Sequence, residues 1–170
     1  MDAHAQRTLY EELMAQSDEA GINSVLEGRK DEIDDELLEK LIGVGNALGS
    51  DGQSERALSF YSLGVLAARA KADPLGEARV HLASGQFYSD HQDLPNAFDR
   101  AEQAFRMGRE FTKRGLTGRK LPTDSSVRSL YFKLTEGLAC LFASKKNWEA
   151  ASRIWLEGKA LIEGAQLFEY

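Results

Sequence analysis

Few side chains in this sequence carry the chemistry of a catalyst. There is one cysteine, Cys140, and there are three histidines, His4, His81 and His91. A cysteine nucleophile needs a base within hydrogen-bond reach and a cause for a lowered pKa. No histidine lies near Cys140 in the sequence, so it reads as a small, semi-buried apolar side chain. His81 and His91 stand ten residues apart on one helical stretch, about 15 Å at 1.5 Å per residue, too far to share a metal ion. Glu77 and His81 have i,i+4 spacing and read as a surface pair. The run Asp31-Glu32-Ile33-Asp34-Asp35-Glu36 lacks the alternating oxygen ligands and central glycine of a calcium loop. Gly43-Val44-Gly45 precedes no phosphate-loop lysine and lies inside a helical pattern, where packing accounts for it. This inventory predicts no catalytic residue, no metal and no cofactor, and a protein that is not an enzyme.

The elements that hold these residues read as helices throughout. Leu9 and Leu13, with Tyr10 and Met14, repeat at four-residue steps and predict an amphipathic helix over 3–17. Ser17 or Asp18 caps a short helix carrying Ile22, Val25 and Leu26 that stops near Gly28. The acidic run 31–36 reads as a loop and first helical turn, where carboxylates complement exposed N–H groups. From Asp34 the pattern Leu37, Leu38, Leu41, Ile42, Val44, Leu48 continues to a break at Gly49-Ser50-Asp51-Gly52. Further helices are predicted over 53–72, 75–91, from Leu94 or Pro95 to 114, from Asp124 or Ser125 to 145, and over 148–167. β-Branched residues are scarce and no alternating run persists, so the chain is expected to be all-α.

Composition sets bounds on function. The 170 residues carry 27 acidic and 21 basic side chains, a net charge of −6. That length suits one domain or an array of small repeats. No run approaches the ~18–20 apolar residues of a membrane span, and no signal-peptide pattern opens the chain. A single cysteine excludes an intrachain disulfide framework and suits a reducing compartment, so a cytoplasmic location and no membrane are expected.

An internal repeat is present. Gly45, Leu48, Ala57, Tyr61 and Gly64 are followed 40 residues later by Gly85, Tyr88, Ala97, Ala101 and Ala104, and a further 54 later by Ala139, Phe142, Ala151, Trp155 and Gly158. All nine small positions hold Gly or Ala, although these supply only 36 of the 170 residues. The pattern resembles the tetratricopeptide repeat (TPR), in an extended-helix variant with repeats of about 40 residues. Small residues let two antiparallel helices approach closely, and a large ring fills the adjacent hole. The resemblance implies a TPR-like array of three antiparallel helix pairs over 36–170. A helical lead-in over 1–35 precedes it, and the 54-residue step requires a loop inserted near 115–126. Ala101 stands where the aromatic belongs, so the core of the second pair is expected to be thinner.

By the same resemblance, the first helix of each pair lines a concave groove. Asn46, Arg79, Leu82, Gln86, Lys133 and Glu136 are its expected partner-binding residues, with Cys140 beside them. Gly45-Asn46 matches a TPR class that clamps the C-terminal carboxylate of chaperone tails. Ile42, Ala83 and Gly137 replace polar residues that this class needs, and only Asn46 and Lys133 of its five are kept. Charge is uneven: residues 1–40 carry a net −8, and residues 106–133 a net +6. Lys113, Arg114, Arg119 and Lys120 could form a patch for an anionic partner, read as an acidic protein segment. Nucleic acid is not expected, because the overall charge is negative and no aromatics interleave the basic residues. The implied function is a protein-protein interaction module, an adaptor or scaffold that binds a peptide or helix of another protein. The alternative is a structural self-association domain, a homo-oligomer joined through the apolar C-terminal helix with Leu161, Ile162, Leu167, Phe168 and Tyr170.

Overall fold

A computed structural model describes residues 8–91, 96–116 and 125–166. Among them are eight α-helices and no strand: α1 (Leu9–Met14), α2 (Glu19–Gly28), α3 (Asp35–Ser50), α4 (Ser54–Lys71), α5 (Pro74–Asp90), α6 (Ala97–Leu116), α7 (Ser125–Ser144) and α8 (Trp148–Gln166), with a 3₁₀ turn at Lys30–Glu32. No helix is long and apolar enough to cross a membrane.

Local chemistry explains where several helices begin. Thr8 and Glu11 form a reciprocal capping box at α1, in which each side chain satisfies a backbone N–H of the other. Asp18 accepts from the Gly21 N–H at 2.7 Å, Asp34 from Leu37 at 2.9 Å, and Asn147 from Ala150 at 3.2 Å. Each satisfies a donor that the helix itself leaves open. The first helix is shorter than its periodicity predicts. It ends at Met14, and Asp18 opens a new helix rather than continuing the old one.

The chain divides into two compact units, Met1–Asp73 and Pro74–Tyr170. In the first, α3 packs on α4 and α2 on α4, around a core that includes Leu13, Leu26, Ile33, Leu38, Leu41 and Ala67. Arg29 ties the connections together by pairing with Glu12 at 2.7 Å and with Glu32. In the second unit α5 packs on α6, α6 on α7, α5 on α7 and α7 on α8. Its core holds Ala78, Ala101, Phe105, Leu130, Leu134, Leu138 and Ile154. Contacts run in opposite order along α5 and α6, from Tyr88 with Arg100 through Gly85 with Phe105 to His81 with Phe111.

The nine small positions of the repeat are all buried. A Cβ on Gly45 would lie 2.8 Å from the Tyr61 ring, so that glycine admits the ring. In the second unit the filling differs from the expectation. Position 101 holds alanine, yet the core there is not thin, because Phe105 one turn later supplies the ring. Phe105 is 1% exposed, and Cβ atoms on Gly85 and Gly137 would meet it at 3.0 Å and 2.6 Å. One ring thus fills the space left by two glycines on α5 and α7. Trp155 is the second departure: where the register expects a buried ring it is 43% exposed, leaning on Phe132 with 5.6 Å between ring centroids.

Candidate functional site

The expected groove residues lie on three helices. On α5, Arg79, Leu82 and Gln86 follow i, i+3, i+7 spacing and so share one side of the helix. Arg79 and Leu82 are half-buried and Gln86 is exposed; Leu82 packs against the second core, and the Gln86 amide donates to Asp90 at 2.8 Å. On α7, Lys133, Glu136 and Cys140 have the same spacing, and all three are exposed. The two helices are in contact. Cys140 therefore sits in solvent rather than semi-buried, because the buried side of α7 is occupied by Leu134, Leu138 and Leu141. Asn46 belongs to the other unit. It is exposed on α3, and its side-chain oxygen accepts from the Tyr61 hydroxyl at 2.6 Å, so it also anchors the ring that Gly45 admits.

Of the basic patch, Lys113 and Arg114 stand exposed in the last turn of α6, where cations complement the open carbonyls of a helix end. Lys113 lies 3.9 Å from Glu157, and the Arg114 guanidinium lies 6.0 Å from the Phe111 ring centroid. Arg119 and Lys120 lie outside the described residues, as do His4 and most of the expected inserted loop.

Two polar clusters escaped the sequence reading. Glu77 and His81 are not a surface pair: they are 5% and 7% exposed, with Nε2 3.5 Å from Oε1. The imidazole stacks on Phe111 at 6.2 Å and 7°, and Gly108 of α6 lies against the His81 Cβ. An i,i+4 pair of polar residues on a helix carries no signal of burial; the covering residues come from α6, nearly thirty positions away. The second cluster centres on Glu157 of α8. Its carboxylate accepts from the Tyr131 hydroxyl of α7 and lies 3.7 Å from Arg109 of α6. Burial and this hydrogen bond push the Tyr131 phenol well above its ordinary value, so the neutral form is held in place.

Among the described residues no three His, Cys, Asp or Glu side chains gather to hold a metal ion. The Glu77–His81 pair lies within α5, with the imidazole stacked on Phe111 of α6, and the Glu157 cluster ties α8 to α7 and α6 through Tyr131 and Arg109. Compared with known proteins, the sequence matches no family model, no curated protein and no solved structure.

Proposed function

We propose that this chain is a protein-protein interaction module built as a TPR-like array, and that it binds an extended or helical segment of another protein. One observation carries the reading. The neighbouring helices α5 and α7 each bury one side in a shared core and present on another a mixed row of Arg79, Leu82 and Gln86, and Lys133, Glu136 and Cys140. Such a surface offers apolar area, hydrogen-bond donors and acceptors, and charges of both signs, which is what recognition of a peptide or helix uses. The burial of all nine small repeat positions and the rings seated against Gly45, Gly85 and Gly137 support the array. The seating of Tyr61 on Gly45 is the close helix approach that the resemblance implies.

The test compares the full chain with a Gln86→Ala/Lys133→Glu variant. Each is immobilised and exposed to extract of its source cells, and retained proteins are identified by mass spectrometry after chemical cross-linking. A partner cross-linked to α5 or α7 in the native chain and lost at least about tenfold in the variant supports the reading. Exposed residues contribute little to folding, so the variant's melting temperature should stay within a degree or two. Identical retention by both proteins would remove this surface from the account.

A further inference from the structure

The outer side of α8 is unusual for this molecule. Among the described residues four large hydrophobic side chains are exposed, and three of them are there: Trp148 at 64%, Trp155 at 43% and Leu156 at 61% exposure. Trp148 and Trp155 are the chain's two tryptophans. Seven residues apart, they fall on one side of the helix about 10 Å from each other. Ser152 and Lys159 share that side, with Glu149, Leu156 and Arg153 along one flank. Exposed tryptophans at two-turn spacing are costly to leave in water.

We propose that α8 pairs antiparallel with α8 of a second copy of this chain, about a two-fold axis that passes between Ala151 and Ser152. The pattern is complementary to itself. Placing Trp148 against the partner's Trp155 puts the axis at the midpoint of the two, where Ser152 is the small exposed side chain that allows close approach of helices. A two-fold operation of this kind brings the same flank of each helix together. Glu149 then falls within one residue of the level of the partner's Arg153, and the two-fold makes this pair twice. Neither Glu149 nor Arg153 makes an ion pair among the described residues. Lys159 falls at the level of the partner's Ser144, beside Lys145, whose charge is already met by Asp99 at 3.5 Å and Glu102 at 3.7 Å. Trp155 is already braced by Phe132, which lowers the entropy lost on docking. This interface is separate from the α5 and α7 surface, and it names a second copy as the occupant.

The experiment uses the full chain in the presence of a reductant. Sedimentation equilibrium from about 1 to 200 µM should show a monomer–dimer equilibrium, and tryptophan emission should shift to the blue over the same range, since both tryptophans become buried. Trp148→Glu, at an exposed site, should weaken dimerisation about 100-fold or more. Glu149→Arg alone and Arg153→Glu alone should each weaken it, and the double variant should restore it, because the swapped charges meet again across the axis. A chain that stays monomeric at the highest concentration overturns the proposal, as does a dimer unaffected by Trp148→Glu or a double swap that fails to rescue. If the monomer instead binds a helical peptide with an apolar face and acidic flanks, the surface belongs to a different partner and the second copy is excluded. Gln86→Ala/Lys133→Glu should leave the dimer unchanged, so failure here and failure of the groove reading are told apart.

Discussion

At Gly137 a missing side chain is what lets the Phe105 ring sit between α5 and α7. A Cβ there would lie 2.6 Å from the ring, and in a close-packed core the ring can yield only by disturbing Gly85 on its other side. Gly137→Ala should destabilise the protein by about 1–3 kcal/mol, read from urea unfolding monitored by circular dichroism. Gly43 is the control: nothing lies within 4 Å of where its Cβ would be, so Gly43→Ala should add about 0.5–1 kcal/mol through helix propensity alone. A third single-residue test lies at the end of α4. Ala72 terminates that helix with φ +57° and ψ +40°, and the Asp73 N–H bonds back to the Ala68 carbonyl at 2.9 Å. An L side chain in the left-handed region costs about 1 kcal/mol that glycine does not incur. Ala72→Gly should therefore raise the urea midpoint; a lower midpoint would contradict the strain.

Between elements, the Tyr131–Glu157 contact joins α7 to α8 and carries a pH signature. The Tyr131 pKa is raised in the folded protein, by burial first and by the carboxylate second. A raised folded pKa means that this stability is fully present below the unfolded value near 10 and is lost as pH rises through the folded one. Tyr131→Phe should cost about 2 kcal/mol at neutral pH and should flatten the loss of stability above pH 10, measured by urea unfolding at several pH values. The helices themselves were legible because their signals are local. Asp18 and Asp34 cap the turns that follow them, and leucines three and four apart mark the buried sides. The pairing of Gly45 with Tyr61 was legible for the same reason, since a fixed spacing links a small residue to a ring. What the spacing could not show was decided by distant neighbours. Phe105 and position 101 are one turn apart on α6, and only the gap between Gly85 and Gly137 selects the phenylalanine. The burial of Glu77 and His81 depends on Phe111 and Gly108 of α6, and the exposure of Trp155 beside Phe132 has no counterpart in the repeat spacing. Of the candidate surface, the shared sides of α5 and α7 were readable from i, i+3, i+7 spacing, whereas the tie between Asn46 and Tyr61 was not.

For the molecule as a whole, each compact unit contains its own apolar core, one built on Leu26, Leu38 and Leu41 and the other on Phe105, Leu134 and Leu138. A unit that closes its own core can fold by itself. The fragment 74–170 should give a helical circular dichroism spectrum and a single cooperative thermal transition, and a non-cooperative melt would show that its core is incomplete. Charge is divided as well as structure. The acidic excess of residues 1–40 lies in the first unit, and the basic excess of 106–133 in the second. Raising the salt concentration should therefore change the solubility of the isolated fragment and of the full chain by different amounts, since residues 74–170 carry 14 basic and 12 acidic side chains, a net +2, against −6 for the full chain.

Cys140 has one more consequence. It is the only thiol in the chain, and it faces solvent. A disulfide to it must come from outside the chain, either from a small thiol or from another molecule of the same protein. On standing in air, the protein should accumulate a species of twice its mass on a non-reducing gel, which dithiothreitol abolishes and Cys140→Ser prevents. Storage history, and not only the sequence of α8, would then decide how many molecules travel together in an unreduced sample.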